Sequence, residues 1–176
     1  YGAELEFTWL ASDMVQIYGS LGLLRATFKD YKTFNHVDVD KTAIPPIPKN
    51  LSGHEQAHAP SYQFAIGTEI ALTDHLTAGL ELEGKEAFYL SPRHNAKTNR
   101  YELVNARLNY RRSDWEFSLW GRNLGDRDVI VRGFGSFGND PRQCPDPSTP
   151  SSCYPVKPYY QYGEPRIVGA TAKYRF

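Results

Sequence analysis

Apolar and polar side chains alternate with a period of two along most of this chain, which restricts it to extended strands with two chemically different faces. In YGAELEFTWL, Tyr1, Ala3, Leu5, Phe7 and Trp9 fall on one side, and Glu4, Glu6 and Thr8 on the other. SYQFAIGTEIAL sets Tyr62, Phe64, Ile66, Ile70 and Leu72 against Gln63, Ala65, Gly67 and Glu69. HLTAGLELEGKEAFY and YELVNARLNYR repeat the pattern, with Leu76, Ala78, Leu80 and Leu82, then Val104, Ala106, Leu108 and Tyr110 as the apolar sets. WEFSLWGRNL places Trp115, Phe117 and Leu119 together, and RIVGATAKYRF places Val168, Ala170, Ala172, Tyr174 and Phe176 together. A seventh strand lies within MVQIYGSLGLLRATFKDY, but its alternation is less clean and leaves open which face is which. No segment has a 3.6-residue period, so the chain reads as all-β.

Connections between these strands alternate strictly between short and long. Turns at Ser12-Asp13, Thr73-Asp74-His75 and Ser113-Asp114 are tight, whereas the links near 31–60, 91–100 and 131–162 are longer. Long loops thereby collect at one end of the sheet, an asymmetry expected of transmembrane β-barrels, with short periplasmic turns and long extracellular loops. A strand tilted in a bilayer spans the hydrocarbon with about 9–11 residues and needs apolar groups only at alternate positions. Composition is compatible: 14% of residues are aromatic, including 12 Tyr, which suits interfacial girdles but suits a soluble β-sandwich nearly as well. No apolar run is long enough for a transmembrane helix. Zero formal net charge and the absence of a basic run exclude a nucleic-acid signature. Seven strands leave two unpaired edges, costly in lipid, and single-chain bacterial barrels normally have an even number. The expectation is a fragment spanning residues 1–176, its other strands preceding Tyr1.

Three stretches resemble the end of TonB-dependent outer-membrane receptors. YELVNARLNYRRSDWEFSLWGRNLGDRDV is similar to the family's penultimate hairpin, and YGEPRIVGATAKYRF to its closing strand, with a Gly-Glu-Pro-Arg lead-in and a terminal Phe. APSYQFAIGTEIAL resembles an earlier strand that opens with Pro. Gly125 departs from the small polar residue more usual after Asn-Leu, and the two cysteines are not general to the family. The resemblance implies the C-terminal portion of a barrel of about 22 strands, plugged by a domain absent here. It implies a Gram-negative outer-membrane location, a small-molecule substrate such as a siderophore-like chelate, and a TonB-type energy-coupling protein acting through the missing N-terminal part. Lipid, the remaining strands and the plug are the other implied contacts. Gly169, Tyr174 and Phe176 look like the signal read by the barrel-assembly machinery, which pairs with a free strand edge.

Other candidates are weighed on their surroundings. His54-Glu55-Gln56-Ala57-His58 spells the zinc-protease pattern, whose chemistry needs a helix to bring both imidazoles to one face. Gly53 before it and Pro60 after it leave no room for one, so a solvated loop is expected, with no catalytic residue, metal or cofactor. Cys144 and Cys153 bracket PDPSTPSS in the longest loop and suggest a disulfide in an oxidising compartment, free thiols or a metal site being the alternatives. Glu81, Glu83, Lys85, Arg107, Arg111, Glu116 and Arg122 fall on the expected lumen face, mostly as a wet lining whose charges pair with one another. Arg107 and Arg122 are also candidate ligand contacts. Tyr159, Tyr160 and Tyr162 suit an outer aromatic girdle, with Tyr159 and Tyr160 alternatively stacking on a ligand. The competing architectures are a complete eight-stranded barrel with a structural or passive-channel role, and a soluble β-sandwich or zinc enzyme.

Overall fold

A computed structural model describes residues 1–34, 36, 38, 39, 43–45, 47–134 and 158–176. Among these residues eleven strands follow in chain order: β1 (Gly2–Ser12), β2 (Val15–Leu24), β3 (Lys32–Thr33), β4 (Lys49–Asn50), β5 (Tyr62–Thr73), β6 (Leu76–Lys85), β7 (Tyr101–Arg112), β8 (Trp115–Arg122), β9 (Ile130–Phe134), β10 (Tyr159–Tyr162) and β11 (Ile167–Tyr174). Seven of them, in the order β1-β2-β5-β6-β7-β8-β11, form one antiparallel meander. These are the seven strands expected from alternation. The other four form two small ribbons, β3 with β4 and β9 with β10, inside the long links. Among the described residues, neither link contributes an eighth strand to the sheet.

Each tight turn is a Ser/Thr-Asp pair with a local reason to bend. Ser12 Oγ accepts the Met14 N–H at 3.2 Å, and Thr73 Oγ1 accepts those of His75 and Leu76 at 3.3 and 3.1 Å. Ser113 takes a positive φ of 51°. Small hydroxyl side chains that bond nearby backbone compete with strand pairing and so end it.

The register joins all seven strands into a single two-faced sheet. One row runs Leu5, Leu21, Phe64 and Gly84; another runs Ile66, Leu82 and Val104; a third runs Ala78, Leu108, Leu119 and Ala170. Facing in β2 follows from these partners: Val15, Ile17, Gly19, Leu21 and Leu23 share the apolar face. Charge enters that face only at its ends, with Glu102 beside Gly84 and Arg112 beside Trp115. Thr68, a hydroxyl in its middle, donates to the Gln16 carbonyl at 3.1 Å and so carries no unmet polar group into the band.

Burial is inverted relative to a water-soluble protein. The apolar strand residues remain open, Leu80 at 53% and Leu119 at 60% exposure. Among the described residues the buried apolar ones are instead Val39, Leu51, Phe88, Leu90 and Val129, all in the long connections. A contiguous apolar surface of this extent needs an apolar medium or partner against it.

Candidate functional site

The opposite face of the sheet is polar. Pairing aligns Gln16, Glu69, Gly79, Arg107, Trp120 and Gly169 across six strands in one row. A neighbouring row holds Thr8, Tyr18, Gly67, Glu81 and Asn105. Glycines here leave room for the large side chains beside them. Tyr18 lies over Gly67, Arg107 over Gly79 and Trp120 over Gly169, each so close that a β-carbon on the glycine would collide with it.

Within the face, polar groups satisfy one another. Arg107 pairs with Glu69. Tyr18 donates to Glu81 at 3.3 Å, and Asn105 Nδ2 reaches both Glu81 and Glu83 at 3.3 Å. Ser118 donates to Asn109 at 2.8 Å, and Arg111 pairs with Glu116 at 3.0 Å. Trp120 donates from Nε1 to Thr171 at 3.3 Å. Between these groups lies an open cleft of about 400 Å³, lined by residues that include Tyr18, Glu81, Asn105, Arg107, Trp120 and Arg122. Guanidinium groups, an indole face and amide donors are suited to hold a polar, partly aromatic solute or a polar protein segment.

Of the residues anticipated as lumen or ligand contacts, Arg107 and Arg122 line this cleft together. Arg122 also pairs with Glu164 at 3.3 Å and lies over the Trp120 ring. Tyr159 and Tyr160 stand elsewhere, exposed on β10 and paired with Phe134 and Gly133 of β9. With Tyr162 they belong to a ribbon outside the sheet. On the apolar face, Tyr62 and Phe64, 6.4 Å apart, lie near the long loops, and Trp115, Phe117 and Tyr174 by the short turns. Trp115 stacks on Phe117 at 5.5 Å and meets Tyr174 at 4.9 Å, and Tyr174 meets Phe176 at 5.5 Å. Gly169 lies on the polar face, so the three residues of the expected assembly signal divide between the two faces. Cys144 and Cys153 lie outside the described residues.

The His54–His58 stretch is a loop. Glu55 bridges Thr27 and pairs with Lys97 at 3.0 Å, and His58 turns through a positive φ of 57°. Among the described residues no group of three potential metal ligands converges.

One residue missed in the sequence organises the loop end. Asn123, 2% exposed with a φ of 48°, receives the Arg127 N–H on Oδ1 at 2.8 Å. Its Nδ2 donates to the carbonyls of Arg127 and Glu164 at 2.9 and 3.1 Å. Three residues on, Asp126 Oδ1 accepts the Arg166 N–H at 3.0 Å. Together they anchor the Gly-Glu-Pro-Arg lead-in to β11. Asn tolerating a left-handed backbone was the available signal, but its partners lie up to 41 residues away.

No protein-family model matches the chain. Its fold is that of the β-barrel of TonB-dependent receptors. The ferric-catecholate import receptor Fiu of E. coli K12 matches in its closed form with a TM-score of 0.68 at 22% identity, and in its open form with 0.62 at 18%. The ferric yersiniabactin uptake receptor FyuA of Yersinia pestis matches with a TM-score of 0.69 at 15% identity. Each alignment covers 99% of this chain, but only 20%, 20% and 23% of those receptors, so the chain spans about a fifth of their length. At such identities the likeness is one of fold.

Proposed function

We propose that this chain is the C-terminal part of the wall of an outer-membrane receptor that imports a scarce solute through a plugged barrel. The observation that carries the reading is the apolar band that runs across seven strands of 8–12 residues, with long connections gathered at one end. Strands of this length, tilted, match the hydrocarbon thickness. In this reading lipid covers the band, further strands pair with the edges of β1 and β11, and a plug lies against the polar face. The edge of β11, ending in Tyr174 and Phe176 behind Gly169, serves barrel assembly. A TonB-type protein supplies energy through a segment outside residues 1–176, and Cys144 and Cys153 form a disulfide in an external loop.

The similar receptors are those for ferric catecholate and ferric yersiniabactin, which makes ferric chelates the first substrates to try. Uptake of radio-iron as catecholate and other chelates is compared in cells with and without the gene encoding this chain. The proposal expects gene-dependent uptake of at least one chelate, abolished by a protonophore, with the protein in the outer-membrane fraction. Recovery from a soluble fraction refutes it, as does gene-dependent permeability that a protonophore leaves unchanged. The latter result supports a passive barrel.

A further inference from the structure

The long connections carry two buried histidines built in the same way. His36, 2% exposed, accepts the N–H of Asp38 on Nδ1 at 3.1 Å. His94, 7% exposed, accepts the N–H of Ala96 on Nδ1, also at 3.1 Å. Each imidazole thus closes a turn on the residue two positions later, in the role an Asn or Asp side chain plays in an Asx turn. One sits in the 25–61 connection and the other in the 86–100 connection, and both line one small cavity with His54. Their surroundings tie the connections together: Asn95 donates to Asp38 at 3.3 Å, and Lys97 pairs with Glu55 at 3.0 Å.

We propose that His36 and His94 form an acid-released clasp, holding the 25–61 and 86–100 connections together while both rings are neutral and parting them when the rings take up protons. The proposal concerns the connections alone and stands independently of what the barrel transports. An Nδ1 that accepts a hydrogen bond is unprotonated, so the neutral tautomer carries its proton on Nε2. Protonation turns Nδ1 into a donor facing another donor, the N–H of Asp38 or Ala96. Both turns lose their closing bond, and two cations arise in one cavity beside His54.

The charged groups nearby offset this only in part. Asp38 has its carboxylate 3.6 Å from His36 Nδ1, but that group is held by Lys49 at 2.9 Å and by Asn95. Glu55 is occupied by Lys97. Nε2 of His94 is buried without a hydrogen bond of good geometry among the described residues, although the Phe134 carbonyl lies close enough to favour its proton. Burial lowers the affinity of both rings for a proton, more than Asp38 and the Asn95 side-chain hydrogen bond raise it at His36 or Phe134 at His94; Lys49 and His54 lower it further at His36, and His36 lowers it at His94. A histidine whose folded pKa is depressed binds fewer protons folded than unfolded. Its contribution to loop stability is therefore present above about pH 6.5 and is lost as pH falls below that towards the folded pKa.

Hydrogen exchange tests this on the purified protein in detergent micelles, with protection factors used so that the intrinsic pH dependence cancels. Between about pH 7.5 and 5, protection at the amides of Asp38, Val39, Leu90 and Ala96 is expected to fall at least about tenfold, while that of Leu80 and Leu108 holds. In the double variant His36→Asn/His94→Asn, the side-chain oxygen keeps the acceptor but cannot be protonated, so protection is retained at both pH values. Unchanged protection in the wild type overturns the proposal, as does an equal acid loss in the variant. Ring-proton NMR of the wild type supplies a check that does not depend on the variant folding. Loss of protection must track the titration of His36 and His94, and a loss that follows other groups refutes the clasp.

Discussion

The indole of Trp120 covers Gly169 across the β8–β11 pair, where a β-carbon would sit 2.8 Å from Trp120 Cε2. The ring is anchored on either side, by Thr171 through Nε1 and by the Arg122 guanidinium, which lies 5.4 Å from its centroid. Gly169→Val is expected to dislodge the indole and destabilise the β8–β11 pairing by about 1–3 kcal/mol, the usual cost of overpacking. Thermal unfolding in detergent together with tryptophan emission checks it, and unchanged values in both would show that the ring moves freely.

Leu108 and Asn109 are neighbours in sequence but face opposite ways. Leu108 pairs with Ala78 and Leu119, and Asn109 with Thr77 and Ser118. Leu108→Arg is expected to cost about 2–4 kcal/mol in a bilayer if that site lies near mid-membrane. Asn109→Arg, among polar side chains on the other face, is expected to cost well under half as much. Denaturant unfolding from lipid vesicles measures the difference.

Asn123 combines a left-handed backbone with three side-chain hydrogen bonds. Asn123→Gly preserves the backbone freedom and removes the bonds, at an expected cost of about 2–4 kcal/mol from roughly 1 kcal/mol per bond. Asn123→Ala adds about 1 kcal/mol for the positive φ. Exchange protection at Arg127 and Arg166 should fall in both variants, since those N–H groups depend on Asn123 directly and on the adjoining Asp126.

Arg107 and Glu69 tie β7 to β5 over the intervening Gly79. Both side chains are nearly half exposed, at 47% and 43%, so water screens much of their attraction. A double-mutant cycle with Arg107→Ala and Glu69→Ala is expected to give a coupling below about 1 kcal/mol. A larger value would mean that the pair is desolvated by something lying over it.

Most of the wall was legible because its determinants are local. Period two in Leu76–Leu82 and Val104–Tyr110, with Ser/Thr-Asp turns between strands, specifies pairing without distant information. β2 resisted because Tyr18 and Leu24 put bulky groups on its polar face; Tyr18 is needed there to cover Gly67, which lies 49 positions away on β5. The loop end was least legible. Val39, Leu51, Phe88 and Leu90 carry no period, and their burial depends on two connections meeting. His36 and His94 gave no sign of sharing a cavity, while the conspicuous His54–His58 pattern drew attention to an ordinary loop. Tyr159 and Tyr160, expected just before the final strand, lie on β10, which among the described residues pairs with β9.

Nitroxide labels at Leu80, Leu108 and Ala172, and at their neighbours Gly79, Asn109 and Thr171, test the two-faced wall most directly. In bilayers, collision with oxygen should dominate at the first three sites and collision with a water-soluble nickel complex at the second three. Equal accessibility at both sets, or a water-exposed first set, would contradict the account.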